Sequence, residues 1–117
     1  MTERKVYELV GRLLEKTRRG ELAWEVTPSR EAFLTVLGAF AVKIFFVLDK
    51  SGKDATLALS VSDSEGRAIE TSRDVDLANR LGPTVPVMQT MRDLYAEARR
   101  SALGVDAALD QILSELR

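Results

Sequence analysis

The sequence contains no cysteine and no histidine. Without thiols, disulfides and thiolate chemistry are excluded, and nothing points to an oxidising compartment. Without imidazole, the commonest general base and the commonest transition-metal ligand are missing. Ser-His-Asp and Cys-His mechanisms are therefore impossible, which leaves carboxylate, lysine, tyrosine or hydroxyl chemistry. Aromatics are sparse, with one tryptophan, two tyrosines and four phenylalanines, and they form no stripe with basic residues of the kind nucleic-acid sites use. Neither sign of charge dominates: 17 basic against 18 acidic residues give a net charge of −1, so there is no electrostatic reason to expect nucleic acid or an anionic membrane. The longest apolar stretch, Phe33 to Leu48, contains Gly38 and Lys43 and falls short of the roughly 20 residues a membrane span needs. The first twenty residues have charges spread through them and no uninterrupted apolar core of a secretory signal, so a cytoplasmic chain is expected.

What is present is amphipathic. At 117 residues, with 45% hydrophobic and 30% charged content, the chain reads as one domain, 1–117, with a core that needs no metal or disulfide. Val6, Leu9, Val10, Leu13 and Leu14 recur at helical spacing, which predicts a first helix over 3–19, ended by Gly20. Glu21 to Thr27 alternates and predicts a strand with Leu22, Trp24 and Val26 inward. Glu31 to Leu37, Phe40 to Asp49, Ala55 to Asp63 and Ala68 to Ser72 follow as strands joined by short turns, which makes an antiparallel meander. Asp63-Ser64-Glu65-Gly66 fits a type I turn closed by a left-handed glycine. A helical turn near 76–81 and a stop at Gly82-Pro83 come next. Thr84 is a candidate cap for a helix running to about Leu103, its stripe made of Met88, Met91, Leu94, Tyr95, Ala98 and Ala102. Gly104 breaks it, and Asp106 can cap a last helix. The expected architecture is a two-layer α+β domain in the order α-β-β-β-β-β-α-α, with the helices on one sheet face.

Local motifs give bland readings. Asp74-Val75-Asp76 reads as a capped turn before a helix rather than a pair of metal ligands. Asp49-Lys50-Ser51-Gly52-Lys53-Asp54 holds a Gly-Lys pair, but Val47 and Asp54 stand where a P-loop needs glycine and Ser or Thr. Lys16, Arg18 and Arg19 crowd the end of the first helix, and Arg99-Arg100 lies near the end of the penultimate one, where cations complement the macrodipole. No catalytic residue, metal ligand or cofactor is expected.

The strand Phe40 to Leu48 raises the functional question. Phe40, Val42, Ile44, Phe46 and Leu48 fall on one face, to be covered by helices; Ala41, Phe45 and Val47 leave only Lys43 polar on the other. The last helix carries Val105, Ala108, Leu109, Ile112, Leu113 and Leu116 on one side. Packing against its own sheet is the first expectation for that stripe, and docking to another chain the second. Ala41, Phe45, Val47, Ile112 and Leu116 are accordingly the candidate interface residues.

GELAWEV near the start and LYAEARRSALGVDAALDQIL near the end resemble segments of small stand-alone bacterial α+β proteins of uncharacterised function. The resemblance covers about a third of the chain and carries no site residue. It implies a bacterial cytoplasmic protein encoded beside larger systems such as defence or signalling genes. The function expected is a non-enzymatic protein-protein interaction module, either a homodimer or a small subunit of an assembly. The alternative is a small-ligand or nucleotide-sensing domain with a pocket between helices and sheet, walled by Tyr7, Trp24, Tyr95 and Arg99.

Overall fold

A computed structural model describes residues 2–48, 52 and 55–117. Helix α1 (Thr2–Arg18) precedes five strands: β1 (Glu25–Val26), β2 (Ala32–Leu37), β3 (Phe40–Leu48), β4 (Ala55–Ser62) and β5 (Ala68–Arg73). Helices α2 (Asp74–Leu81), α3 (Val87–Leu103) and α4 (Val105–Glu115) complete the order. The strands form one antiparallel sheet in chain order, the expected meander. The loop expected over Asp49 to Asp54 lies outside the described residues apart from Gly52.

Register fixes the faces. Phe33 pairs with Ile44 and Ile44 with Leu59, while Val42 lies opposite Val61 and Phe46 opposite Leu57. These side chains share one face; Phe33, Val42, Ile44, Leu57 and Leu59 form the core with Val6, Val10, Leu13 and Leu14 of α1, Leu77 of α2 and Val87, Met91, Leu94 and Ala98 of α3, Val61 packs against it and Phe46 lies at its edge. No residue of the opposite face belongs to that core, so the helices cover one side of the sheet. The turns follow the residue chemistry. Gly38 (φ 62) opens the two-residue β2–β3 connection, a positive φ that costs glycine nothing. Between β4 and β5, the Gly66 N–H donates to the Asp63 carbonyl at 3.0 Å with Gly66 at φ 82, as the turn sequence predicts.

One buried polar junction ties three elements together. The Trp24 indole Nε1–H donates to Thr17 Oγ1 at 2.9 Å, and the Thr17 hydroxyl donates to the Leu13 carbonyl at 2.6 Å. The Trp24 backbone N–H reaches Ser101 Oγ of α3 at 3.0 Å. This junction is also why β1 is shorter than its alternation suggests. Trp24 enters the core and spends its N–H on a side chain, and the Ala23 carbonyl accepts from Thr35 Oγ1 at 2.8 Å, so ladder pairing is confined to Glu25 and Val26. Val26, expected inward, is exposed.

Two further expectations fail for reasons of packing. Helix α3 is entered through Pro86 with no side-chain cap, not through Thr84, and it turns Val87 rather than Met88 into the core. The last helix does not pack on the sheet.

Candidate interaction surface

Helix α4 begins at a sharp corner. Gly104 adopts the left-handed conformation (φ 62, ψ 41), and its N–H closes α3 onto the Arg100 and Ser101 carbonyls. That is the usual chemistry of a glycine helix stop. The next residue starts α4, and the Ala108 N–H returns to the Gly104 carbonyl at 3.0 Å. Arg100 Nη2 to Asp106 Oδ1, at 2.8 Å, braces the bend. The change of axis sends α4 off the body, and none of its residues is buried.

Its apolar stripe is consequently bare. Leu109, Ile112, Leu113 and Leu116 are 48, 55, 61 and 77% exposed. The molecule is elongated, 52 × 34 × 29 Å, with a radius of gyration of 15.4 Å. A compact domain of this length would have a radius near ~13 Å. An isolated helix of this length is marginal in water, and its stability ordinarily comes from burying the apolar side.

The sheet face away from the helices is better protected than strand parity suggests. Ala41, Phe45 and Val47 are half-buried there, and the small residues Ala32, Ala58 and Ser60 between them are buried. Lys43 Nζ lies 5.0 Å from the Phe45 ring centroid, an arrangement that satisfies a cation while its aliphatic stem shields the ring. Arg73 donates from Nε and Nη2 to Thr56 Oγ1 at 3.1 and 2.9 Å across the same face. Of the five candidate interface residues, Ile112 and Leu116 are thus open on and just beyond α4, whereas Ala41, Phe45 and Val47 are half-buried, beside a Val36 that is 60% exposed opposite Ala41.

The face expected to be fully covered is instead open at both strand ends. The helices bury Val42 and Ile44 but leave Phe40, Phe46 and Leu48 at 47, 37 and 66% exposure. Strand β3 is simply longer than the helical layer above it. Near the β2–β3 hairpin this produces a groove of about 380 Å³, floored by Leu9, Leu13, Leu22 and Leu37 and edged by Arg12, Lys16 and Glu21. Leu22 also lines an adjacent hollow, of about 330 Å³, bordered by Asp106 and Ala107 at the root of α4. Sequence reasoning missed this groove, because it depends on where the helices stop over the sheet. The hairpin tip Leu37-Gly38-Ala39-Phe40, apolar on both sides of its turn, was the available signal.

The four residues proposed to wall a ligand pocket do not converge. Trp24 is sealed in the junction with Thr17, and Tyr7 packs at the margin of the core. Tyr95 wedges its ring between Phe33 and Phe46, at centroid distances of 5.5 and 4.6 Å, and its hydroxyl donates to Glu31 Oε2 at 2.9 Å. Burial and the neighbouring Glu31 carboxylate push that hydroxyl up to about 12. Arg99 lines a separate shallow hollow with Val26, Glu31 and Leu103. Beneath the helices, the centre of the sheet is covered by the packed side chains of the core.

Elsewhere, Asp74 and Asp76 are the first turn of α2; the Asp74 carboxylate accepts the Val75 N–H at 2.7 Å. Among the described residues, no group of three or more acidic side chains is arranged to hold a metal ion. A polar hollow of about 390 Å³ lies between α1, β5 and α2, lined by Glu3, Glu70, Arg73, Asp76 and Arg80. Its central ion pair, Arg80 to Glu3 at 2.6 Å, holds the Glu3 carboxyl below the usual carboxylate range. No helix among the described residues is long and apolar enough to cross a membrane.

Compared with protein-family models, with curated proteins and with solved structures, the chain matches none.

Proposed function

We propose that this chain is a non-enzymatic protein-protein interaction module, a homodimer or a small subunit of a larger bacterial assembly, that engages its partner through α4. One observation carries the reading: an eleven-residue helix that buries none of its residues and, with Leu116 just beyond it, presents four large aliphatic side chains to water. Contiguous exposed apolar surface of this kind marks association sites, and a terminal amphipathic helix is a recurrent docking element. The body of the domain neither needs α4 nor covers it, so the cost of leaving the stripe bare is recovered only by a second molecule. Cytoplasmic residence and a place beside defence or signalling systems belong to the same proposal.

Hydrogen exchange over residues 105–116 tests it. At nanomolar concentration of the isolated chain these amides exchange rapidly. At high micromolar concentration, or in extract of the source cell, they become protected. Protection that is already complete at the lowest concentration would mean that α4 packs on its own body, and no protection under any condition would mean that nothing covers it. Either result overturns the proposal.

A further inference from the structure

We infer that the partner of α4 is a second copy of this chain, and that the two copies exchange arms. The α4 of each lies in the Leu9–Leu13–Leu22–Leu37 groove of the other, about a two-fold axis beside the α4 roots. The inference rests on the interaction-module reading and specifies its partner.

Three features place the arm there. The first is position. The groove and the hollow at the root of α4 share Leu22, so a two-fold axis beside that root brings each arm over its neighbour's groove. The second is size. Helix α4 is ~16 Å long at 1.5 Å per residue, and the α1 wall from Leu9 to Lys16 covers ~10 Å of that length, with Leu22 and Leu37 widening the floor. The third is charge. The groove is edged by Arg12, Lys16 and Glu21, net +1, with Lys16 paired to Glu21 at 3.0 Å, and it lies along a first helix that, with its end, is net +3 from Glu3 to Arg19. Helix α4 carries Asp106, Asp110 and Glu115 and no cation, net −3. Potentials of opposite sign favour this pairing and disfavour pairing of two α4 helices with each other. A single short arm is also a small contact, and a stable interface needs ~1,200 Å² or more, so reciprocal exchange doubles the area without a new surface.

The test uses the full chain. Light scattering over a dilution series gives a dimer that dissociates on dilution. Ile112→Asp, on an arm that contributes nothing to the body, raises the dissociation constant about tenfold or more, and so does Leu37→Asp in the groove. Mixing the two variants restores part of the dimer, because each mixed pair keeps one intact arm and one intact groove. Since the chain has no cysteine of its own, Leu37→Cys and Ile112→Cys chains can be mixed and oxidised. A mixed cross-linked dimer is expected, and this readout stands if Leu37→Asp fails to fold. A dimer weakened by Ile112→Asp but neither by Leu37→Asp nor joined by the cysteines would overturn the groove assignment and leave the interaction reading intact. A monomer at every concentration would overturn self-association, with the hydrogen-exchange result in cell extract then deciding whether a different partner takes α4. A chain carrying both Leu37→Cys and Ile112→Cys that closes an internal disulfide at extreme dilution would overturn both.

Discussion

Replacing Thr17 by valine probes the junction that holds α1, the lead-in to β1 and α3 together. Valine keeps the shape and, in the last turn of α1, has nearly the propensity of threonine. It removes the acceptor of the Trp24 indole N–H (2.9 Å) and the hydroxyl bonded to the Leu13 carbonyl (2.6 Å). The Leu13 carbonyl keeps its place in the helix ladder, so the main loss is one buried donor left without a partner, about 1–3 kcal/mol. The added methyl returns part of this, up to ~0.8 kcal/mol. A net destabilisation of roughly 1–2 kcal/mol follows, which for a domain of this size lowers Tm by about 3–10 °C. Urea titration followed by circular dichroism measures it, and a double-mutant cycle with Trp24→Phe isolates the bond. In the Trp24→Phe background there is no donor to orphan, so Thr17→Val becomes close to neutral. Equal costs in the two backgrounds would show that the hydrogen bond is not what Thr17 contributes, and the account of the shortened β1 would fall with it.

The Tyr95 hydroxyl gives a pH dependence at the alkaline end. Its folded value is raised from 10.0 to about 12, so the folded state keeps a proton that the unfolded state releases. The associated stability is complete below pH 10 and is lost as pH rises towards 12; Tyr95→Phe flattens this part of the stability profile, and an unchanged profile would contradict it. The Asp63 carboxylate accepts the Glu65 and Arg67 N–H groups at 3.0 Å each and pairs with Arg67 Nε, which holds it below the ordinary carboxylate range. Its contribution is present at neutral pH and fades as pH falls through the lowered value. Asp63→Ala should therefore lower Tm at neutral pH more than in acid, as differential scanning calorimetry would record.

Much of the architecture was written in periodicity. The stripe Val6, Val10, Leu13 and Leu14 could only be one side of a helix, and the five-strand meander followed from alternation between short turns. The Asp63–Gly66 closure was legible because aspartate and glycine each suit one step of that turn. The surface was much less so. Periodicity shows that a face is apolar, not what lies over it. On Phe40 to Leu48 it gave the correct parity and the wrong allocation of exposure. The helices cover Phe46 only in part, through Tyr95, and leave Leu48 open, while Lys43 and the small side chains of β4 border Phe45. In α4 the same spacing that predicted a helix also suggested sheet packing, and only the corner at Gly104 decides otherwise. Tyr7, Trp24, Tyr95 and Arg99 looked like a pocket wall because aromatic and cationic residues suit one, yet tertiary placement put each to a different use.

The pairing of α1 with α3 also sets a timetable for synthesis. Each strand meets its neighbour within a few residues of leaving the ribosome, because the sheet follows chain order. Helix α1 meets Trp24 and the sheet early but its helical neighbour late: Val10 emerges first and shares a core with Leu94, 84 positions later. At ~5–20 residues per second of translation, the side of α1 that meets α3 stays uncovered on the nascent chain for roughly 4–17 s. The crowd of cations on α1 then does a second job. Like charge on the uncovered helices of unfinished chains lowers their tendency to stick to one another during that interval.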